Sequence, residues 1–254
     1  MEINLVNYSQ ADGNYLIETA SAKEMIAFCA RVSNPENQFN EKTSDKLIKY
    51  LMKHQHWSPF EMVSACLEIK TTRDIARQIL RHRSFSFQEF SQRYAQATDF
   101  EIREARLQDE TNRQNSIPTD DIKIQDEWRR IQDEVIAVCK SRYERALEMG
   151  IAKEQARAVL PEGLTTSCLY MNGTIRSWIH YIELRSAHGT QKEHMRVAQE
   201  IARVISKIFP MRQLDFDPIE ESAMEGPWDY DGSEFKYLEQ WRSAAEKAAR
   251  DNEN

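Results

Sequence analysis

From position 77 the sequence reads Arg77-Gln78-Ile79-Leu80-Arg81-His82-Arg83-Ser84-Phe85-Ser86-Phe87-Gln88-Glu89-Phe90-Ser91-Gln92-Arg93-Tyr94. Arginine offers a rigid fork of donors and does not lose its charge, so Arg77, Arg81, Arg83 and Arg93 set close together suit an anion such as phosphate or carboxylate. Ser84, Ser86, Gln88, Glu89 and Ser91 lie between them and add neutral donors and acceptors of the kind that read a sugar or a base edge. The ligand class these residues suggest is a nucleotide.

The rest of the composition narrows that reading. The chain has 254 residues, 41% of them hydrophobic, with a formal charge of -7 and a pI near 5.5. A folded core is expected, and general nucleic-acid binding, which needs a basic face, is not. A single-strand binder stacking bases on Phe85, Phe87, Phe90 and Tyr94 is the rival reading, and the acidic balance counts against it. No glycine-rich phosphate loop occurs, so side chains and helix N-termini must hold any phosphate. No Gly-x-Ser-x-Gly elbow or His-Glu-x-x-His pair supports a hydrolase. His54-Gln55-His56 lacks a third ligand at metal spacing, and no metal is expected. Cys29, Cys66, Cys139 and Cys168 are far apart and read as free, mostly buried thiols. The N-terminal residues do not resemble a secretory signal, and no run reaches the ~18 apolar residues of a membrane span. The expected setting is cytoplasmic, with no membrane partner.

With seven glycines and seven prolines, and apolar residues recurring at three- and four-residue spacing, helix should dominate. Phe60–Lys70 alternates as a half-buried strand with its odd-numbered residues inward. Thr71-Thr72 then caps a helix through Ile75 and Ile79, which places Arg73, Arg77 and Arg81 on one stripe. Three like charges on one stripe call for anions, or for carboxylates from elsewhere in the fold. Residues 99–125 read as an exposed connection able to act as a lid. Glu127–Met149 reads as an amphipathic helix with Ile131, Val135, Val138 and Leu147 inward and Gly150 as its stop. Lys153–Leu160 is a short helix ending at Pro161. Asn172 or Thr174 caps a helix to about Ala187, and Thr190 to Glu193 fits a capping box for a last helix with Met195, Ala198, Ala202 and Ile205 buried, before Pro210. His54, His188 and His194 carry no functional signal. No internal repeat or low-complexity linker is visible, so residues 1–215 are expected as one domain. Residues 216–254 form an acidic extension, expected as a peripheral helix bearing Phe235, Leu238 and Trp241.

Arg81-His82-Arg83, seven residues, then Ser91-x-Arg93 resembles the signature of the flavin-dependent thymidylate synthases. His56-x-Ser58-Pro59-Phe60-Glu61, Ala156-Arg157-x-Val159-Leu160-Pro161, and the run from Arg176 through His180 to Leu184-Arg185 agree with that family in order and approximate spacing. The resemblance implies a single α+β domain, helix-rich, with a mixed β-sheet flanked by helices. It implies a homotetramer whose active sites are shared between subunits. The implied reaction converts dUMP to dTMP, with 5,10-methylenetetrahydrofolate as one-carbon donor and FAD, reduced by NADPH, as hydride source, and without a cysteine nucleophile. Carried over residue by residue, Ser33, His56, Ser58, Glu61, Arg81, His82, Arg83, Glu89, Thr174, Arg176 and His180 would approach the flavin nucleotide. Gln78, Arg81, Glu89, Phe90, Ser91, Gln92, Arg93, Arg157 and Arg185 would approach dUMP, with the phosphate among Ser91, Arg93 and Arg157. Arg185 would stabilise charge at N3 or O4 of the pyrimidine as the catalytic residue. Gln88 and Thr174 stand where asparagine is common in the family; both still form hydrogen bonds, at a different reach.

Overall fold

The computed structural model describes residues 1–12, 21–97, 99–187 and 189–209. His188, Pro210 and the extension after residue 215, with its expected helix, lie outside the described residues. The fold is α+β and helix-rich. A four-stranded sheet in the order β1 (Glu2–Tyr8), β2 (Ser64–Thr72), β6 (Thr166–Thr174), β3 (Ser86–Glu89) forms its centre. The resemblance implied a mixed sheet; among the described residues every pairing in it is antiparallel.

The core follows from the strand alternation. Val63, Ala65, Leu67 and Ile69 turn inward and are essentially unexposed, as the period-two pattern predicts. Across them from β6 come Leu169 and Met171. This face is covered by α1 (Ala22–Ala30), α2 (Ser44–Lys53), α6 (Ile175–Ser186) and α7 (Lys192–Ile205), which contribute Ile26, Ile48, Trp178, Ile179, Ile182, Val197 and Ile201. Burying each large side chain of this set contributes about 1.5–3 kcal/mol. The one polar atom of Trp178, Nε1, donates to Ala65 O at 3.1 Å, so the ring enters the core with its polar group satisfied.

The strand begins later than the alternation suggests, because Pro59 opens a 3-10 turn over Ser58–Glu61 instead of extending it. β2 passes without a loop into α3 (Arg73–Ile79), and β6 passes in the same way into α6. Each strand has nine residues, carries Cys-Leu at its third and fourth positions, and ends on a threonine N-cap of similar conformation: φ -72°, ψ 154° at Thr72 and φ -73°, ψ 160° at Thr174. Glu68 and Tyr170 are paired at the centre of both strands, so the two β–α units face each other about an approximate two-fold axis. The shared pattern is too short to stand out as a repeat in the sequence.

Three expectations are corrected. α4 (Ile122–Glu148) forms and ends at Gly150, whose φ of 79° suits glycine. Its face bearing Ile131, Val135 and Val138 is nevertheless exposed, at 40%, 39% and 57%. The helix is attached through polar residues instead: the Gln132 amide clamps Arg103 N and O at 2.8 and 2.9 Å, and Gln125 Oε1 accepts from Ala105 N at 3.0 Å. Those clamps also anchor the start of the connection over residues 99–125. Within residues 99–125 a hairpin forms, β4 (Arg106–Gln108) with β5 (Ser116–Pro118). Glu104 at its base joins Lys192 (2.8 Å), Arg106 (3.1 Å) and Arg196 (3.3 Å). Burial opposes its ionisation, but the Lys192 hydrogen bond and the charge of Arg196 hold it down to about 2. The capping box before α7 does not form, because Gln191 is the N-cap residue and its side chain is bonded elsewhere. The expected helix over 153–160 forms as α5 (Lys153–Ala156) followed by a 3-10 turn over Arg157–Val159. No described helix is long and apolar enough to cross a membrane.

Candidate active site

The arginine stripe on α3 is answered by carboxylates from other elements. Arg77 pairs with Glu162, and Arg73 Nη1 lies 3.6 Å from Glu89 Oε1. That is an ion-pair distance and not a hydrogen bond, and this buried nitrogen has no hydrogen-bond partner. Glu89, at the end of β3, also accepts from Ser167 Oγ at 2.8 Å. Burial first, then the nearby charges of Arg77 and Arg157, lower the Arg73 pKa, with Glu89 opposing. Arg73, Arg77, Arg157 and Glu89 therefore share one neighbourhood.

Phe90 N donates to Cys168 O at 2.8 Å, so the chain leaves β3 still fastened to β6. It then turns, with Tyr94 N bonded to Ser91 O and Arg93 N to Ser91 Oγ, at 3.1 and 3.3 Å. Arg93 Nε pairs with Glu154 Oε2 at 3.1 Å, which ties this turn to α5 and hence to Arg157. Gln92 is 4% exposed, and its side-chain nitrogen lacks a hydrogen-bond partner.

The turn after α3 carries Arg81, His82 and Arg83. Arg81 and Arg83 are exposed, and neither forms an ion pair among the described residues. His82 Nε2 accepts from Arg185 Nε at 2.9 Å, so the imidazole is neutral with its proton on Nδ1. Burial and then the Arg185 charge push His82 down to about 4. Its ring stands edge-on to Tyr181, with centroids 4.7 Å apart. Arg185 is half-buried near the end of α6 and forms no ion pair among the described residues. With Nε spent on His82, its two terminal nitrogens form no hydrogen bond among the described residues.

A second edge of α6 meets the 3-10 turn at residues 58–61. Arg176 pairs with Glu61, and His180 packs edge-on against Trp57, with centroids 4.7 Å apart. Ser33, His56 and Ser58 are exposed, and no hydrogen bond joins them to the other candidates among the described residues. Thr174 Oγ1 accepts from Ser177 N at 3.3 Å as the cap of α6, so its hydroxyl serves the helix. Glu154, Glu162, Tyr181 and His194 carried no functional signal in the sequence, and Gln191 entered only as part of the expected capping box. The structure buries His194 completely.

The sequence profile of the family described as Thymidylate synthase complementing protein matches residues 15–211. A Paramecium bursaria Chlorella virus 1 protein described as a probable flavin-dependent thymidylate synthase is 52% identical over 191 residues, which cover 75% of this chain and 88% of that one. The chain belongs to the flavin-dependent thymidylate synthase family. The Synechocystis sp. flavin-dependent thymidylate synthase is 50% identical over 193 residues, 76% of this chain and 88% of that protein. Among solved structures, a UMP/dUMP methylase from Streptomyces cacaoi bound with 5-Br dUMP matches with a TM-score of 0.68 and 28% identity, covering 82% of this chain and 90% of that one.

Within this flavin-dependent thymidylate synthase fold the four cysteines are free and half-buried. Burial foremost, then Glu68, pushes the Cys168 thiol up to about 12, and burial raises Cys29 and Cys66. A thiol held protonated is a poor nucleophile.

Proposed function

We propose that the protein converts dUMP to dTMP, taking its one-carbon unit from 5,10-methylenetetrahydrofolate and its reducing equivalents from NADPH through bound FAD. The observation that carries the reading is Arg185, a half-buried guanidinium oriented by neutral His82 and without a carboxylate partner among the described residues. A cation fixed in that way is suited to negative charge that builds at the N3–O4 edge of a uracil during attack from C5. Ser91, Arg93 and Arg157 would bind the phosphate, with Arg93 and Arg157 joined through α5. Gln78, Phe90 and Gln92 would line the nucleoside. The orphaned nitrogen of buried Gln92 supports a ligand acceptor there.

The residues present also fit a flavin nucleotide. Arg81 and Arg83 are exposed cations free to meet its pyrophosphate, and Glu61, Arg176 and His180 form a polar wall beside Trp57. When bound, FAD supplies the hydride. Ser33, His56, Ser58 and Thr174 complete the proposed flavin contacts. The protein's own part is to bind, to orient and to stabilise charge.

A homotetramer with shared sites belongs to the same proposal. On α4, Ile124, Trp128, Ile131, Val135 and Val138 recur at intervals of four and three and are all exposed, the seam that pairs with another helix. The free thiols support a cytoplasmic setting.

The test is tritium release from 5-tritiated dUMP, with UMP as a parallel substrate, given methylenetetrahydrofolate and NADPH and run with and without added FAD. Release that requires flavin and NADPH, with dTMP as product, is expected. Flavin-loaded protein that releases no tritium would overturn the reading.

A further inference from the structure

We propose that His194 is a positioning residue for the nucleotide site, a neutral imidazole that fixes the direction of the Gln78 amide. The proposal rests on the reading of Gln78 as a dUMP contact.

His194 lies on α7 with 0% exposure. Its Nε2 is 2.9 Å from the Tyr181 hydroxyl, and its Nδ1 is 3.1 Å from Gln78 Oε1. Gln78 Nε2 donates to Gln191 Oε1 at 2.8 Å, and Gln191 Nε2 donates to Glu193 Oε2 at 2.9 Å. Glu193 Oε1 receives Arg106 Nη2 at 2.6 Å. An ionised carboxylate only accepts, so Glu193 decides the direction of the whole series. Gln191 must turn its NH2 to Glu193 and its carbonyl to Gln78, and Gln78 must then turn its NH2 to Gln191 and its carbonyl to His194. His194 is left to donate from Nδ1 and accept at Nε2, with Tyr181 as donor. Reversing any amide would set donor against donor, or acceptor against acceptor.

The surroundings support that single tautomer. Burial first, then Arg185 and His82, push His194 down to about 3, and burial keeps Tyr181 protonated and able to donate. An aliphatic side chain would fill a buried helix position without the cost of desolvating two ring nitrogens. The histidine instead joins a core hydroxyl to a half-buried amide beside Arg77 and Arg81. Among the described residues Gln78 keeps one N–H and one carbonyl lone pair uncommitted, a donor–acceptor edge that matches the N3–H and carbonyl of a uracil. Without the Nδ1–H, the carbonyl end of that amide would be free to rotate and the edge would be lost part of the time.

The experiment uses the full chain loaded with FAD and measures KM for dUMP, kcat, bound flavin and thermal unfolding. It compares His194→Leu, which makes neither bond, with His194→Asn, whose amide nitrogen can take the place of Nδ1. The expected result for His194→Leu is a KM raised about tenfold, as for loss of one net hydrogen bond, with flavin content kept and kcat changed less. His194→Asn is expected to recover most of that loss even where its melting temperature is lowered. In wild-type protein, imidazole nitrogen NMR should show His194 protonated on Nδ1 and not titrating between pH 6 and 8. A wild-type KM in His194→Leu, an equal loss in both variants, or an Nε2–H tautomer would overturn the proposal while dUMP turnover stands. Wild-type protein that binds flavin but does not turn over dUMP would overturn the reading of the site, and the substrate-positioning role with it.

Discussion

In the proposed site Arg185 divides its donors between two tasks: Nε orients on His82, and the terminal nitrogens would meet the ligand. A lysine at this position has one ammonium and cannot hold the imidazole while also presenting a planar fork. Arg185→Ala should therefore lower turnover of dUMP on the order of 10²–10³-fold, the scale of a lost transition-state donor, with bound flavin largely unchanged. Arg185→Lys should recover little of it. Single-turnover dTMP formation under saturating substrate measures this, and a lysine variant close to wild type would show that charge alone suffices.

Two strand-to-helix joints carry the candidate residues, and their fit depends on a close approach at Gly173. A Cβ there would stand 2.4 and 2.6 Å from Phe85 Cδ1 and Cε1. The Phe85 ring is itself held against Trp178, with centroids 4.7 Å apart, and the preceding Ser84 carbonyl accepts from Ser177 Oγ at 3.2 Å. A ring fixed on two sides cannot swing away cheaply. Gly173→Ala should destabilise the protein by about 1–3 kcal/mol, as overpacking does, and should shift the turn carrying Arg81, His82 and Arg83. Chemical denaturation and flavin titration test the two effects. Loss of stability with unchanged flavin affinity would mean that the turn is held independently of Phe85.

For the whole molecule, buried histidines and the Glu104 cluster set the response to acid. His82 and His194 are lowered from 6.5 to about 4 and about 3. The unfolded chain thus binds more protons than the folded one below pH 6.5, and stability falls as pH drops through that window. Glu104, lowered from 4.5 to about 2, adds a second loss below pH 4.5. Melting temperature should be nearly flat between about pH 7 and 8, decline as pH falls from about 6.5 and steepen below 4.5, and His194→Leu should flatten the first part. In the proposed homotetramer the exposed apolar stripe of α4 acts at the same scale. Replacing Val135 and Val138 together with glutamate should shift the sedimenting species toward the monomer, since it places charge at the centre of an apolar stripe. An unchanged sedimentation coefficient would place the interface between copies elsewhere.

The alternation of Val63, Ala65, Leu67 and Ile69, the helix after Thr72 and the stop at Gly150 were legible in the sequence, because local backbone geometry and burial period determine them. The same holds for the ligand-class argument, since clustered arginines keep their charge in any fold, and the ordered motifs pointed to the family. Tertiary structure alone decided which arginines are neutralised: Glu89, Glu162 and Glu154 reach Arg73, Arg77 and Arg93 from distant parts of the chain. It also turned the apolar face of α4 outward, because Gln125 and Gln132 attach that helix through backbone groups that no hydrophobic pattern reports. His194 became significant only when α6, α7 and α3 were brought together. A histidine's tautomer and charge depend on the partners that surround it, and here those partners lie 13 and 116 residues away.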